Sequence, residues 1–218
     1  TLRMIEDCVS KILRRHHGVE NPTFAQIKEF YDCHLHPDQI DLNDQEVYEN
    51  IFKNGQWIGI FQFTEGGAQK LAERVKPTSI VDISAITSIY RPGPLSAGVD
   101  KAYIKAVHDP DSVEYLNDKV REITEETHGF LIFQEQIAKL AYELGDGITM
   151  DEANLLRKIL TKKGTGKGHE VKEGIHKKFI AGCKDKGIQE SKCQALWDKF
   201  EFFSGYGFNK SHAVCYSI

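Results

Sequence analysis

Apolar residues recur at helical spacing along most of this chain. Leu2, Ile5, Val9, Ile12 and Leu13 fall on one face of a helix that runs from Leu2 to His16 and ends near Gly18. Pro22 precedes a second helical pattern, Thr23 to Leu35, and Asn43 to Phe52 forms a third, in which Asn43 and Glu46 have the spacing of a capping box. Trp57 to Phe63 is short, aromatic and partly β-branched, the pattern of a strand. Helical patterns resume over Glu65–Val75, Val81–Ile89 and Gly98–Val107, and Pro92-Gly93-Pro94 prevents the last two from joining. Further on, Thr149-Met150-Asp151-Glu152 is a capping box opening a helix that reaches Lys163. Val171, Ile175 and Phe179, then Ile188, Leu196, Phe200 and Phe203, predict two amphipathic helices separated at Lys186-Gly187. A last helix begins at Ser211 and His212, with frayed order expected after about Ala213. The fold expected is mainly α, a multi-helix assembly with a few short strands.

The Thr149–Lys163 helix divides into two faces. Ala153, Leu155, Leu156, Ile159 and Leu160 lie on one side, and Asn154, Arg157, Lys158 and Thr161 on the other, with Lys162 at the margin. One face packs and the other is basic. Arg157 offers a planar two-pronged donor suited to phosphate, and the lysines act as point charges. Net charge over the 218 residues is −4, yet Arg157 to Lys186 holds ten Lys or Arg against three acidic residues. That stripe suits either a focused polyanion site or a lysine-rich solvated surface.

Apolar residues make up 40% of the chain, enough for a core, and no apolar run approaches the roughly 20 residues needed to span a membrane. No signal-peptide pattern opens the sequence. The five cysteines are odd in number and widely spaced, which points to reduced thiols and a cytoplasmic location. Thr1 follows no initiator methionine and Ile218 ends within an apolar run, so both ends are expected to be cut. Gly164-Thr165-Gly166-Lys167-Gly168-His169 fails as a phosphate loop: Thr161 stands at the first glycine position and Gly168 follows the lysine. His34 and His36 form a surface pair with no third ligand nearby. Glu125-Glu126 reads as a solvated run.

The densest chemistry lies in Gly205-Tyr206-Gly207-Phe208-Asn209-Lys210-Ser211-His212. Its glycines permit close backbone approach, and Asn209, Lys210, Ser211 and His212 supply donors. A loop that reads phosphate and a helix end followed by a Ser211 N-cap both fit. This octet resembles the signature of bacterial DNA polymerase III α subunits, the C-family replicative polymerases. Four further segments match in order: Gly59-Ile60-Phe61-Gln62-Phe63, Tyr90-Arg91-Pro92-Gly93-Pro94-Leu95, Phe133-Gln134-Glu135-Gln136-Ile137, and Ala153 to Lys158 with Thr161-Lys162-Lys163.

The resemblance implies a fragment of a DNA-directed DNA polymerase: residues 1–63 the end of the palm, residues 64–218 most of the fingers. The three palm carboxylates used by the family have no counterpart here, so the fragment alone is expected to be inactive and to bind no cofactor, with Mg2+ belonging to the full-length parent. Arg91, Arg157, Lys158, Lys162 and Lys163 are then expected to contact the triphosphate of an incoming deoxynucleotide. Phe133, Gln134, Gln136, Asn209, Lys210, Ser211 and His212 are expected near nucleotide or DNA. Phe133 replaces a tyrosine found in many relatives; stacking and core packing both remain open to it, as contact and packing do for the two glutamines. Expected partners are template–primer DNA, the deoxynucleoside triphosphate, the rest of the parent's palm and thumb, and replisome subunits reached through other regions, with no membrane. The alternative is a stand-alone, non-catalytic helical module that binds nucleic acid.

Overall fold

A computed structural model describes residues 2–161, 167–203 and 207–218. The chain divides into two compact units at Asp44/Gln45. In the first, α1 (Leu2–His16) packs on α2 (Phe24–His34), with Val9 and Leu13 buried in α1. Thr23 caps α2 in a box with Gln26, whose side chain accepts from the Thr23 amide at 2.9 Å.

The second unit, Gln45–Ser217, is mainly helical across its described residues. It opens with α3 (Gln45–Val47), which widens into a π-helical turn over Tyr48–Lys53. Then come α4 (Gly66–Val75), α5 (Ile80–Ile89), α6 (Pro92–Ser96) and α7 (Val99–His108). They are followed by α8 (Asp118–Thr124), α9 (Gln134–Leu144), α10 (Met150–Thr161), α11 (Lys167–Asp185), α12 (Glu190–Phe203) and α13 (Lys210–Ser217). Two apolar clusters fill the unit. One joins α8 to α12 around Leu140, Leu144, Leu156, Phe179 and Phe200; the other joins the π turn, α4, α5 and α7 around Phe63, Val75, Ile86, Ile89 and Tyr103. The segment 131–133 runs between them, Leu131 belonging to the first and Ile132 and Phe133 to the second.

The mainly α fold is as expected, but the few short strands are not. Trp57–Phe63 forms two successive turns, closed by Ile60 N–H to Trp57 O (3.1 Å) and Phe63 N–H to Ile60 O (3.3 Å). Gly59 and Gln62 take left-handed backbone conformations, φ 83° and 68°. The chain therefore coils so that Trp57 and Phe63, six residues apart, stack at 5.4 Å on the core, while Ile58 is fully exposed. Alternation would have placed neighbours on opposite faces; here the aromatics return to one side through turns. Among the described residues the β structure is one isolated parallel bridge, Phe133 to Phe208.

The Pro92-Gly93-Pro94 cluster separates α5 from α7 as expected, but is itself helical. Arg91 is extended (φ −147°, ψ 152°), and Pro92 occupies the first helical position, where its fixed φ helps and its missing N–H costs nothing. At the other end, α13 continues to Ser217 instead of fraying after Ala213. It packs on α5, burying Ala213, and Ser84 Oγ lies 3.0 Å from Ser217 Oγ.

Candidate nucleotide and DNA interface

The site is built where the N-terminus of α9 meets the entrance to α13. Phe208 N–H donates to Ile132 O (3.0 Å) and Gln134 N–H donates to Phe208 O (2.9 Å), the two bonds of the Phe133–Phe208 bridge. Gln134 Nε2 donates to Gly207 O at 2.8 Å. Gly207 leaves little room for a side chain: a Cβ there would stand 3.0 Å from Gln134 Cγ, and the side chain that fixes this junction would have to shift by a few tenths of an ångström.

Two arginines flank the junction. Arg157 of α10 is half-buried and its Nη1 donates to Gln134 Oε1 at 3.2 Å. Arg91, before α6, holds its guanidinium 4.6 Å from the centre of the Phe208 ring, a cation–π contact, while its Nε donates to Ser88 O at 2.9 Å. Burial lowers the Arg91 pKa from its ordinary value, but an arginine stays charged at physiological pH. Lys158 is exposed on α10 beside Arg157. Lys162 and Lys163 lie outside the described residues, as do Gly205 and Tyr206.

Asn209, rather than Ser211, caps α13. Its Oδ1 accepts from His212 N–H (2.8 Å) and from Ser211 Oγ (2.7 Å), and its C=O accepts from Ala213 N–H. The exposed His212 ring lies between those of Phe208 (5.4 Å), which precedes α13, and Tyr216 (4.6 Å), one turn further along it.

Two carboxylates hold this cap from α9 and the turn before it. Glu135 accepts from Asn209 Nδ2 at 2.8 Å and from Lys210 N–H at 3.0 Å. Glu126, on the 3-10 turn Glu125–Thr127, accepts from Lys210 Nζ through both oxygens, at 2.6 and 2.7 Å. The expectation of a solvated Glu125-Glu126 run therefore fails at Glu126, whose side chain is only 34% exposed. Sequence reasoning missed both carboxylates as site residues, because their partners lie about 75 to 84 positions away.

Two expected contact residues are core elements. Phe133 is 1% exposed, so its face meets the apolar cluster and Lys210 Nζ at 5.6 Å, leaving no room to stack on a base. Gln136 is 3% exposed; its Oε1 accepts from Ile132 and Phe133 N–H (2.9 and 3.0 Å), and its Nε2 donates to Thr127 Oγ1 (2.7 Å) and Ile123 O (3.2 Å). With all four positions of the amide used, it fastens the bridge segment to α8 and has none free for a ligand.

The basic stripe is more neutral than its sequence. Lys172 pairs with Glu201 (3.0 Å), Lys178 with Glu152 (2.6 Å) and Lys184 with Glu190 (2.8 Å). All three acids fall outside the helix that carries the lysines, so the local charge excess is partly cancelled by tertiary neighbours. Among the described residues no group of three His, Cys, Asp or Glu is placed to hold a metal ion, and no helix is long and apolar enough to cross a membrane.

Two arginines and a lysine, with aromatic rings beside them, are thus gathered at one junction of a helical domain. Residues 2–187 match the family described as the bacterial DNA polymerase III alpha subunit finger domain, and this chain belongs to that family. The match begins inside the segment expected to close the palm. The chain is 37% identical over 190 residues to the DNA polymerase III subunit alpha of Aquifex aeolicus, covering 87% of this chain and 16% of that protein. It is 34% identical to the Campylobacter jejuni subunit (92% and 16%) and 32% identical to that of Halalkalibacterium halodurans (100% and 19%). The chain thus spans less than a fifth of the length of these curated relatives.

Proposed function

We propose that this chain serves as fingers in a DNA-directed DNA polymerase and that its junction face binds the triphosphate of the incoming deoxynucleotide and the template–primer backbone. One observation carries the reading: Arg91, Arg157 and Lys210, drawn from three distant segments, are all attached to the junction of residues 132–135 with 207–210. Preset cationic donors stabilise charge on a transferring phosphoryl group without reorganising during reaction. Arg157 supplies a fork, Lys158 an exposed point charge, and Asn209, Ser211 and His212 present polar groups at the start of α13. Lys162 and Lys163 are assigned to the triphosphate with them from their sequence alone. Mg2+ and the carboxylates that bind it would come from other parts of the parent polymerase, together with the remaining palm and thumb, and replisome subunits would meet the parent elsewhere.

The alternative of a free-standing nucleic-acid-binding module relied on the basic stripe, and the ion pairs of Lys172, Lys178 and Lys184 weaken it. The deciding experiment replaces Arg157 and Lys158 by alanine in the full-length polymerase and measures single-nucleotide incorporation. The KM for nucleotide should rise at least tenfold, or kcat fall by a comparable factor, on the scale of losing one or two charge-assisted contacts, roughly 1.5–3 kcal/mol each. Unchanged KM and kcat would dismiss the assignment.

A further inference from the structure

Lys210 is already satisfied by a group that resembles its expected ligand. Its ammonium contacts both oxygens of Glu126, at 2.6 and 2.7 Å, with each side chain 34% exposed. A carboxylate presenting two oxygens to an ammonium offers what a phosphate offers: negative charge and paired acceptors. The two carboxylates at the cap are not equivalent. Glu135 grips the Lys210 backbone amide and the Asn209 side chain, so it holds the start of α13 in place whatever the lysine does. Glu126 contacts only the ammonium at the end of the lysine.

We propose that Glu126 sets the nucleotide affinity of this site by competing with the triphosphate for Lys210. The proposal rests on the reading that this face binds the triphosphate. Glu126 also borders a cleft of about 660 Å³ lined by Lys53, Lys76 and His108. Asp82 and Glu125 line the cleft as well and Lys53 is paired with Glu49, but Lys76 has no ion-pair partner among the described residues and offers a displaced Glu126 one cation to turn towards. The turn that carries Glu126 is followed by two residues in the left-handed region, His128 (φ 51°) and Gly129 (φ 80°), and its carboxylate lies between the lysine and the cleft. Triphosphate binding then exchanges one ion pair for another, and the net gain is less than Lys210 alone would give.

A double-mutant cycle tests this in the full-length polymerase, with nucleotide KM and kcat measured on a fixed primer–template. Glu126→Gln should lower KM by roughly three- to tenfold, the scale of removing a half-exposed competing ion pair, with kcat little changed. Lys210→Ala should raise KM, and adding Glu126→Gln to it should change nothing further. Glu126→Asp, which keeps the charge on a shorter side chain, should fall between wild type and Glu126→Gln, and reads the same effect should the glutamine variant fold poorly. If Lys210→Ala raises KM while Glu126→Gln leaves it unchanged or also raises it, Glu126 is a support and the competition is refuted. If Lys210→Ala has no effect on KM, the triphosphate reading of the lysine itself fails.

Discussion

Replacing Gln136 by leucine is the sharpest test of the claim that this residue builds the site without touching a ligand. Leucine approximates the shape of glutamine, so packing is largely kept and the cost falls on hydrogen bonds. The Ile132 and Phe133 N–H groups, in residues 4% and 1% exposed, lose their acceptor, and water cannot readily replace it. At about 1–3 kcal/mol for each of the two buried donors left unpaired, the loss is about 2–6 kcal/mol. That is a large fraction of the roughly 5–15 kcal/mol that holds a typical domain together. Urea unfolding followed by tryptophan fluorescence is a suitable assay, because Trp57 and Trp197 both lie in the Gln45–Ser217 unit. The midpoint should fall sharply, and Tm should drop by on the order of 10 °C for a chain of this size. Gln134→Leu, at the partly exposed edge of the same junction, loses bonds to Gly207 O and Arg157 and should cost about 1.5 kcal/mol or less. A Gln136→Leu loss below about 1 kcal/mol, or one no larger than that of Gln134→Leu, would refute the reasoning.

Gly182→Ala should also be severe: a Cβ on α11 would stand 2.3 Å from Asp146 N and 2.4 Å from Leu144 O, backbone atoms that cannot rotate away, so a destabilisation of about 3 kcal/mol is expected in the same unfolding assay. A cost within the noise would mean that α11 and the α9–α10 connection are less closely apposed than described. The thiols give a chemical check on burial. Cys8, Cys33 and Cys215 are exposed, whereas Cys183 and Cys193 are buried, and burial together with neighbouring Cys193 pushes the Cys183 pKa up to about 12. Three of the five thiols should therefore react with a disulfide reagent at about pH 8 in the native protein, and all five in denaturant. Rapid native labelling of Cys183 would contradict the packing of α11 on α12.

The sequence by itself determined the family, through five motifs in order, and most helices whose signals are local. Leu2–His16 reads directly from apolar spacing, and Thr149 with Glu152 closes the expected capping box, Thr149 N–H to Glu152 Oε2 at 2.9 Å and Glu152 N–H to Thr149 Oγ1 at 3.2 Å. These features depend on residues within about one helical turn of each other, so a short window contains all the physics. The same window misleads at Trp57–Phe63, where aromatic composition suggests a strand and tertiary stacking on the core favours turns.

Only the tertiary structure decided which polar residues meet at the junction. Gln134 and Gln136 are two positions apart and chemically identical, yet one faces Gly207 and Arg157 while the other is enclosed by backbone. Glu126 becomes the partner of Lys210 across 84 residues, and acids from other elements neutralise lysines that appear free in sequence. Such pairings follow from how helices pack on a shared apolar core. No local pattern of charge or hydropathy specifies which distant side chain will arrive opposite.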